Sequence, residues 1–150
     1  MESFIKETLQ ESIRTKQRLL EEPALLADIG RAAALMIAAF RQKGKVLFCG
    51  NGGSAADAQH LAAELSGRFY KDRPPLFAEA LHVNTSYLTA VANDYSYDDV
   101  FARAVEAMGR PGDVLVGIST SGNSPNVLRA IEKARAQGMH TVGLTGRDGG

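Results

Sequence analysis

The chain has 150 residues, with 17 basic and 17 acidic side chains and a formal net charge of zero. This length predicts one domain with its own core, and the balanced charge argues against nucleic acid as the main partner. The single cysteine, Cys49, excludes a disulfide within the chain. Because the N-terminus shows neither a signal-type apolar core nor a membrane span, we expect a cytoplasmic protein without a membrane partner.

The start of the chain predicts two amphipathic helices. Apolar side chains recur at helical spacing over residues 2–20 and again over 24–42, and Pro23 interrupts the pattern. Lys43 and Gly44 follow the second run, which is typical of a helix end. Since both helices precede the first predicted strand, they cannot both be crossovers between strands. They either cover the sheet or pair with helices of another subunit.

Strands and helices alternate in the rest of the chain. The predicted strands cover 45–50, 76–83, 114–118 and 141–145, and the predicted helices cover 55–69, 84–92, 98–108 and 125–137. The first of these helices is expected to bury an apolar face that ends at Phe69. Alternation of this kind is typical of a mostly parallel sheet with helices on both faces, so we predict an α/β three-layer sandwich. Residues 146–150 have a loop composition, and we expect that a C-terminal segment is missing.

A glycine-rich turn follows the first predicted strand. Gly50, Gly52 and Gly53 let the backbone approach a ligand closely. Residues 50–55 formally match the dinucleotide fingerprint G-x-G-x-x-A. That fingerprint also needs an acidic residue at the end of the second strand, where this sequence has Asn84. A nicotinamide or flavin cofactor is therefore disfavoured.

The loop after the third predicted strand is rich in hydroxyl groups, with Ser119, Thr120, Ser121 and Ser124. Ser124 is the expected N-cap of the next helix, because Pro125 suits a first helical position. Helix N-termini attract phosphate, and open α/β sheets bind ligands at the carboxyl ends of their strands. An ordinary capped helix is the alternative, but the density of hydroxyl groups favours an anion site.

His60 and Glu64 are four residues apart on the helix after the glycine turn, so their side chains share a face. Such a pair can hold a cation or supply an acid–base carboxylate, although spacing alone favours a solvated ion pair without function. Two ligands do not complete a zinc site. His82 and His140 are further candidates by residue type only, and each is more typical of a strand edge.

Four segments resemble the SIS (sugar isomerase) domain superfamily and, within it, the phosphoheptose isomerases. They are GNGGSAADAQHLAAEL at 50–65, TAVANDYSYDDVFARAVEAMGRPGDVL at 89–115, GISTSGNSPNVLRAI at 117–131 and LTGRDGG at 144–150. The resemblance implies a flavodoxin-like parallel sheet and a single SIS domain over residues 1–150. It also implies a homotetramer, with the N-terminal helices of residues 1–43 in the subunit interface.

The resemblance further implies an active site. Glu64 would be the catalytic base, and the substrate-binding residues would be Asn51, Gly52, Gly53, Glu64, Asn93, Asp94, Ser119, Thr120, Ser121 and Ser124. His60 and Glu64 would hold one zinc ion per subunit, together with a glutamine and a histidine from the C-terminal helix that we expect to be missing. The implied reaction converts sedoheptulose 7-phosphate to D-glycero-D-manno-heptose 7-phosphate through an enediol(ate), for bacterial lipopolysaccharide biosynthesis.

A non-catalytic SIS binding module is the alternative. A superfamily relative that associates with the bacterial replication initiator has lost the glutamate on this helix. Because this sequence has Glu64 with His60 beside it, the enzyme is favoured. A regulatory phosphosugar-sensing domain would usually accompany a DNA-binding segment, and the sequence shows none.

Overall fold

The computed structural model describes residues 1–146 and 149–150, so Arg147 and Asp148 of the LTGRDGG segment lie outside the described residues. The described helices and strands, in chain order, are α1 (Glu2–Leu20), α2 (Pro23–Arg41), β1 (Val46–Gly50), α3 (Gly53–Ser66), β2 (Ala78–Ala80), α4 (Thr85–Asp94), a short 3-10 helix (Tyr97–Asp99), α5 (Val100–Met108), β3 (Val114–Ser119), α6 (Pro125–Ala136) and β4 (His140–Thr145). The chain divides into two compact units, residues 1–34 and 35–150.

The first unit contains α1 and the beginning of α2, as the apolar spacing predicts. Pro23 is the first residue of α2 rather than a spacer, because proline fits the first helical position, where no backbone N–H is required. No residue of α1 is buried. Its large apolar side chains lie open, with Phe4 71%, Leu9 59% and Ile13 55% exposed.

Among the described residues, α2 alone has the length and apolar composition that a membrane-spanning helix needs, with a mean hydropathy of 1.5. Only its length and composition suggest a membrane span, and core helices of soluble proteins meet the same criteria. The helix also carries an ion pair between Asp28 and Arg31, and charged side chains are costly in hydrocarbon.

The second unit is built on a four-stranded parallel sheet in the order β2-β1-β3-β4. In register, Gly50 at the end of β1 pairs with Ile118 of β3, and Ser119 pairs with Thr145 of β4. Every residue of β1 and β3 is buried, as expected for parallel strands that are covered on both faces. The carboxyl ends of these two strands therefore lie side by side.

Alternate residues of the central strands supply two separate cores. On one face, Leu47, Cys49 and Leu115 pack with side chains of α5 and α6. On the other face, Val46, Phe48 and Val116 pack with Ala58 and Ala62 of α3. The predicted three-layer α/β sandwich is confirmed.

Two predicted elements are longer than the structure shows. The second strand is only Ala78–Ala80 rather than 76–83. The helix predicted over 55–69 ends at Ser66, because Gly67 follows it as the C-cap with ψ −115°, outside the helical region. Phe69 is consequently 59% exposed rather than buried.

A buried carboxylate holds the amino-terminal ends of the central strands together. Asp113, only 2% exposed, accepts hydrogen bonds from the backbone N–H of Lys45 at 2.9 Å and of Arg110 at 2.9 Å. Its Oδ2 also lies 2.6 Å from Lys45 Nζ. We call Lys45, Arg110 and Asp113 the amino-edge cluster.

Candidate functional site

The glycine turn brings β1 directly into α3. A side chain at Gly50 would place its Cβ 2.8 Å from the Cβ and the carbonyl oxygen of Ser54, so only glycine fits there. Gly52 has φ +56°, in the left-handed region that favours glycine, and it occupies the N-cap position of α3. The tight turn leaves Asn51 at the carboxyl edge of the sheet, beside the end of β3.

The hydroxyl groups of the loop after β3 converge on Ser119, which is 6% exposed. The Oγ of Ser119 lies 3.0 Å from the Oγ of Ser124 and 3.4 Å from the Oγ of Ser121. Gly122, with φ +70°, turns the chain and donates its N–H to the Ser119 carbonyl at 3.0 Å. Thr120 is exposed on the same loop.

Ser124 occupies the predicted N-cap position of α6, but its side chain does not cap the helix. Its hydroxyl group contacts Ser119 instead. The first turn of a helix leaves backbone N–H groups without partners inside the helix. Such N–H groups, with the partial positive charge of the helix N-terminus, can bind an anion. We call residues 119–124, together with the start of α6, the hydroxyl loop.

A pair of asparagines joins the hydroxyl loop to the glycine turn. Asn51 donates from Nδ2 to Asn126 Oδ1 at 2.9 Å, and Asn126 donates from Nδ2 to Asn51 Oδ1 at 2.9 Å. Tyr97 donates its hydroxyl group to the same Oδ1 of Asn51 at 3.2 Å. Sequence reasoning missed Asn126 and Tyr97. The available signal was the position of Asn126 on the buried face of α6, which it shares with Val127 and Ala130.

The structure places Asn93 and Asp94 at the carboxyl end of α4, where Asn93 Nδ2 donates to Asp94 Oδ1 at 2.9 Å. Both are exposed. The segment that follows them reaches the glycine turn through the hydroxyl group of Tyr97. Among residues 1–146 and 149–150, no hydrogen bond joins Asn93 or Asp94 directly to Asn51 or to the hydroxyl loop.

His60 and Glu64 face each other on α3, with Nε2 of His60 3.5 Å from Oε1 of Glu64. Their side chains are 72% and 30% exposed. His60 also lines a pocket of about 240 Å³ whose other walls include Ile118 of β3 and Leu144 of β4. The predicted pair is thus in place, and the pocket beside it extends to the end of the strand that leads into the hydroxyl loop.

The donor atoms of this pair match only part of the zinc site that the resemblance implies. One imidazole nitrogen and one carboxylate suit zinc, but structural and catalytic zinc sites have at least three protein ligands. Within residues 1–146 and 149–150, no group of three or more His, Cys, Asp and Glu side chains could hold a metal ion. The described residues therefore fit part of such a site and do not complete it.

The two other histidines do not join the pair. His140 begins β4 and donates its backbone N–H to the Asp113 carbonyl at 2.8 Å, at the amino-terminal edge of the sheet. His82 follows β2, and its Nδ1 is buried without a hydrogen-bond partner. Burial lowers the pKa of His82, which favours a neutral imidazole.

An arginine that sequence reasoning did not single out secures the end of the helix that carries Glu64. Arg73 donates from Nη2 to the Glu64 carbonyl at 3.0 Å and from Nη1 to the Leu65 carbonyl at 2.9 Å. Because the last carbonyl groups of a helix have no partner inside the helix, this contact acts as a C-terminal cap. The backbone under Glu64 is thereby fixed from outside α3.

Comparison with known proteins identifies the family. The family model described as the SIS domain matches residues 9–146. The phosphoheptose isomerase of Mycobacterium tuberculosis is 56% identical over 145 residues, which cover 97% of this chain and 74% of that protein. The chain belongs to the phosphoheptose isomerases of the SIS domain family. The family prediction is confirmed, and the non-catalytic binding module is not favoured.

Further likenesses agree with that family. The phosphoheptose isomerase of Rhodospirillum rubrum is 64% identical over 122 residues, which cover 81% of this chain and 65% of that protein. The solved structure of phosphoheptose isomerase GmhA from Neisseria gonorrhoeae superposes with a TM-score of 0.91 at 50% identity, over 99% of this chain and 77% of that one. This SIS-domain chain thus spans about two thirds to three quarters of the length of these relatives.

Proposed function

We propose that this phosphoheptose isomerase relative converts sedoheptulose 7-phosphate to D-glycero-D-manno-heptose 7-phosphate, an aldose–ketose isomerisation. The observation that supports the proposal is that Ile118, which lines the pocket beside His60, is followed directly by the hydroxyl loop. The hydroxyl loop offers an anion site at the end of β3, and the pocket beside His60 includes Ile118, the residue before that loop.

The phosphate of the substrate binds in the hydroxyl loop. Ser119, Thr120, Ser121 and Ser124 donate hydroxyl hydrogens, and the N-terminus of α6 adds backbone N–H groups and a partial positive charge. This binding energy lies far from the reacting carbons, so it serves to hold the sugar chain in one position. The loop itself holds no lysine or arginine, and its affinity depends on these neutral donors.

The turn residues Asn51, Gly52 and Gly53 line the sugar chain on one side, and Asn93 with Asp94 lines it on another. What supports this assignment is the position of Asn51 next to the end of β3 and the contact of Tyr97 with Asn51. Glycine at two of these positions leaves the backbone N–H groups accessible to sugar hydroxyl groups.

Glu64 is the base of the reaction. Its carboxylate removes a proton from C1 of the open-chain ketose while the C2 carbonyl oxygen takes a proton from water, which gives the cis-enediol. The same carboxyl group then returns the proton to C2, while the O1 hydroxyl group releases its hydrogen to water and becomes the aldehyde. A single carboxylate 30% exposed to solvent can serve both steps, since the proton moves between neighbouring carbons on one face.

His60 and Glu64 would be two ligands of one zinc ion per subunit, with the remaining ligands outside the described residues. When bound, zinc would stabilise negative charge on the two substrate oxygens. Loss of bound zinc in His60→Ala, measured by elemental analysis, tests this assignment. His140→Ala, at the opposite edge of the sheet, is the matched control and should keep its zinc. Equal zinc in both variants would contradict it.

The helices of residues 1–43 form the subunit interface of a cytoplasmic homotetramer, and residues 1–150 belong to one SIS domain. The apolar side chains left open on α1 support this assignment, because exposed patches of this kind mark interaction surfaces. Replacing Leu9 and Ile13 by aspartate should shift the mass in solution below that of the tetramer, as light scattering would measure. The implied role in the cell is heptose supply for lipopolysaccharide.

In the deciding experiment, the protein is incubated with sedoheptulose 7-phosphate in heavy water, and the sugar is followed by NMR. Deuterium at C1 and C2 together with formation of the aldose is the expected result. Glu64→Gln should lower turnover by at least about a hundredfold, because it removes the base without adding bulk. Glu106→Gln, an exposed residue on α5, is the matched control and should keep full turnover.

Two outcomes would overturn parts of this proposal. Unchanged turnover in Glu64→Gln would remove Glu64 from the mechanism. A folded protein that binds the sugar phosphate without exchange or aldose formation would favour the binding module instead.

A further inference from the structure

The two asparagine side chains at the carboxyl edge differ in their access to a ligand. Asn126 is 2% exposed and sits in the first turn of α6. Asn51 is half-buried at the end of β1. The two residues are 75 positions apart in the sequence, yet they form two reciprocal hydrogen bonds of 2.9 Å. A ligand at this edge can therefore reach Asn51, while Asn126 lies behind it.

The hydrogen bonds of the Asn51 side chain determine whether it can act as a donor or as an acceptor toward a ligand. A side-chain amide has two acceptor sites on its oxygen and two N–H donors. Both sites on Oδ1 are used, by Nδ2 of Asn126 and by the hydroxyl group of Tyr97. One N–H of Nδ2 binds Oδ1 of Asn126. Within the part of the chain that the structure describes, the second N–H of Asn51 has no protein partner, so Asn51 acts toward a ligand as a donor.

We propose that Asn126 is a positioning residue that holds the Asn51 amide as an N–H donor for a hydroxyl oxygen of the substrate's sugar chain. This inference rests on the proposed function, because it assigns the sugar chain to the region beside Asn51. Without Asn126, the amide of Asn51 can rotate and present its oxygen in place of its N–H. A buried side chain that touches no ligand thereby decides which sugar atom the site recognises.

The position of Asn126 makes a specific prediction about two ligands. Inorganic phosphate needs only the hydroxyl loop and the backbone of α6, neither of which depends on the side chain of Asn126. The sugar phosphate also needs the donor on Asn51. Asn126→Ala should therefore weaken sugar-phosphate binding about tenfold, the value of one hydrogen bond, and leave inorganic phosphate binding unchanged.

The test is a double-mutant cycle on kcat/KM for sedoheptulose 7-phosphate with Asn51→Ala, Asn126→Ala and the double variant. If Asn126 acts through Asn51, the double variant should be no worse than Asn51→Ala alone. Asn126→Ala alone should raise KM with little change in kcat, since the contact exists before and during the reaction. Tyr97→Phe, which removes one partner of Asn51 Oδ1, should give a smaller change in the same direction.

Tyr87→Phe is the matched control for a loss of stability. It removes a partly buried hydrogen bond of similar length, 3.0 Å to the Val100 carbonyl, from a residue outside the proposed site. It should lower the melting temperature without raising KM. Equal KM changes in Tyr87→Phe and Asn126→Ala would show a general loss of stability and would overturn the positioning role.

The remaining outcomes separate this inference from the proposed function. Turnover in the parent protein with additive effects of the two asparagine variants overturns the inference alone. Binding of the sugar phosphate without turnover overturns the proposed function, and the cycle is then read from Kd values, which test Asn126 in the same way. Neither turnover nor sugar-phosphate binding in the folded parent protein overturns both.

Discussion

The strands β1 and β3 carry one polar cluster at the amino edge of the sheet and another at the carboxyl edge. The two clusters differ in charge and in how their hydrogen bonds are paired. At the amino edge, the carboxylate of Asp113 is 2% exposed and receives three donors at 2.6–2.9 Å. At the carboxyl edge, the hydroxyl groups of Ser119, Ser121 and Ser124 contact one another at 3.0–3.4 Å. The charge of the first cluster is paired within the protein, whereas the second cluster consists of neutral hydroxyl groups, where we propose that phosphate binds.

This difference separates stability from binding within the same pair of strands. A buried charge is tolerated only when it is paired and hydrogen-bonded, and the amino-edge cluster meets that condition inside the protein. Hydroxyl groups that bind each other can exchange that contact for a phosphate oxygen without leaving a buried charge unpaired. Variants at the amino edge should therefore change unfolding, and variants at the carboxyl edge should change affinity.

The largest expected effect is that of Asp113→Ala. It leaves the Lys45 ammonium group, whose side chain is 14% exposed, without its partner. Breaking a buried ion pair in this way costs about 3–5 kcal/mol of unfolding free energy, measurable by urea denaturation. KM for the sugar phosphate should stay unchanged at temperatures where the variant is folded. A raised KM with unchanged stability would reverse the roles assigned to the two edges.

Next comes the double variant Ser121→Ala with Ser124→Ala. Two lost hydrogen bonds to a charged phosphate, each of about 1.5 kcal/mol, should raise KM by about a hundredfold. The unfolding free energy should change by less than about 1 kcal/mol, because the lost contacts are replaceable by water. Ser86→Ala, an exposed serine on α4, is the matched control for KM. An unchanged KM in the double variant would place the phosphate elsewhere.

A smaller effect is expected for the unfolding free energy as pH changes, because Cys49 lies on β1 between the two edges. Burial raises the pKa of the Cys49 thiol from its ordinary value of 9.0 to about 12. Above pH 9 the unfolded chain loses this proton while the folded chain keeps it, so the contribution to stability is complete below pH 9 and is lost as pH rises toward 12. The unfolding free energy should fall by about 1.4 kcal/mol from pH 8 to pH 10.

Cys49→Ala checks that origin, because it should remove this part of the slope in urea denaturation at the two pH values. An identical slope in the variant would assign the alkaline loss of stability to other groups. Tyr87, whose pKa burial also raises, would be the first of these.

The smallest effect is expected from Arg129→Ala on α6. Arg129 Nη1 lies 2.7 Å from Asp99 Oδ1, nearly the distance of the buried pair, but its side chain is 47% exposed. Exposed ion pairs of this kind often contribute nothing measurable. The denaturation midpoint should therefore stay within error of the parent protein. A loss comparable to that of Asp113→Ala would mean that distance, and not burial, sets the difference between the pairs.

Local pattern was enough to predict the layers and the ends of the central strands. The alternation of strands with helices predicted a parallel sheet, and Pro125 after Ser124 marked the start of α6. The apolar run through Phe69 was misleading, because Gly67 ends α3 before that side chain can turn inward. Phe69 stacks near Tyr70 at the surface instead, with ring centroids 4.1 Å apart.

The candidate site could be predicted only residue by residue, not as a network. Hydroxyl groups before a helix and a His–Glu pair on one face are local patterns, and they identified the hydroxyl loop and the two side chains on α3. The reciprocal bonds of Asn51 and Asn126 join residues 75 positions apart. Such a contact depends on the order of the strands, which no spacing in the sequence encodes.

The separations along the chain at the two edges have a consequence for folding. The bond between Lys45 and Asp113 closes a loop of 68 residues, and the bond between Asn51 and Asn126 closes one of 75. Closing the shorter loop also brings the ends of the longer loop close together. The longer loop therefore closes with little further loss of chain entropy. The edges that differ so much in chemistry should therefore form in a single cooperative step, and a ligand held at one should slow hydrogen exchange at the other.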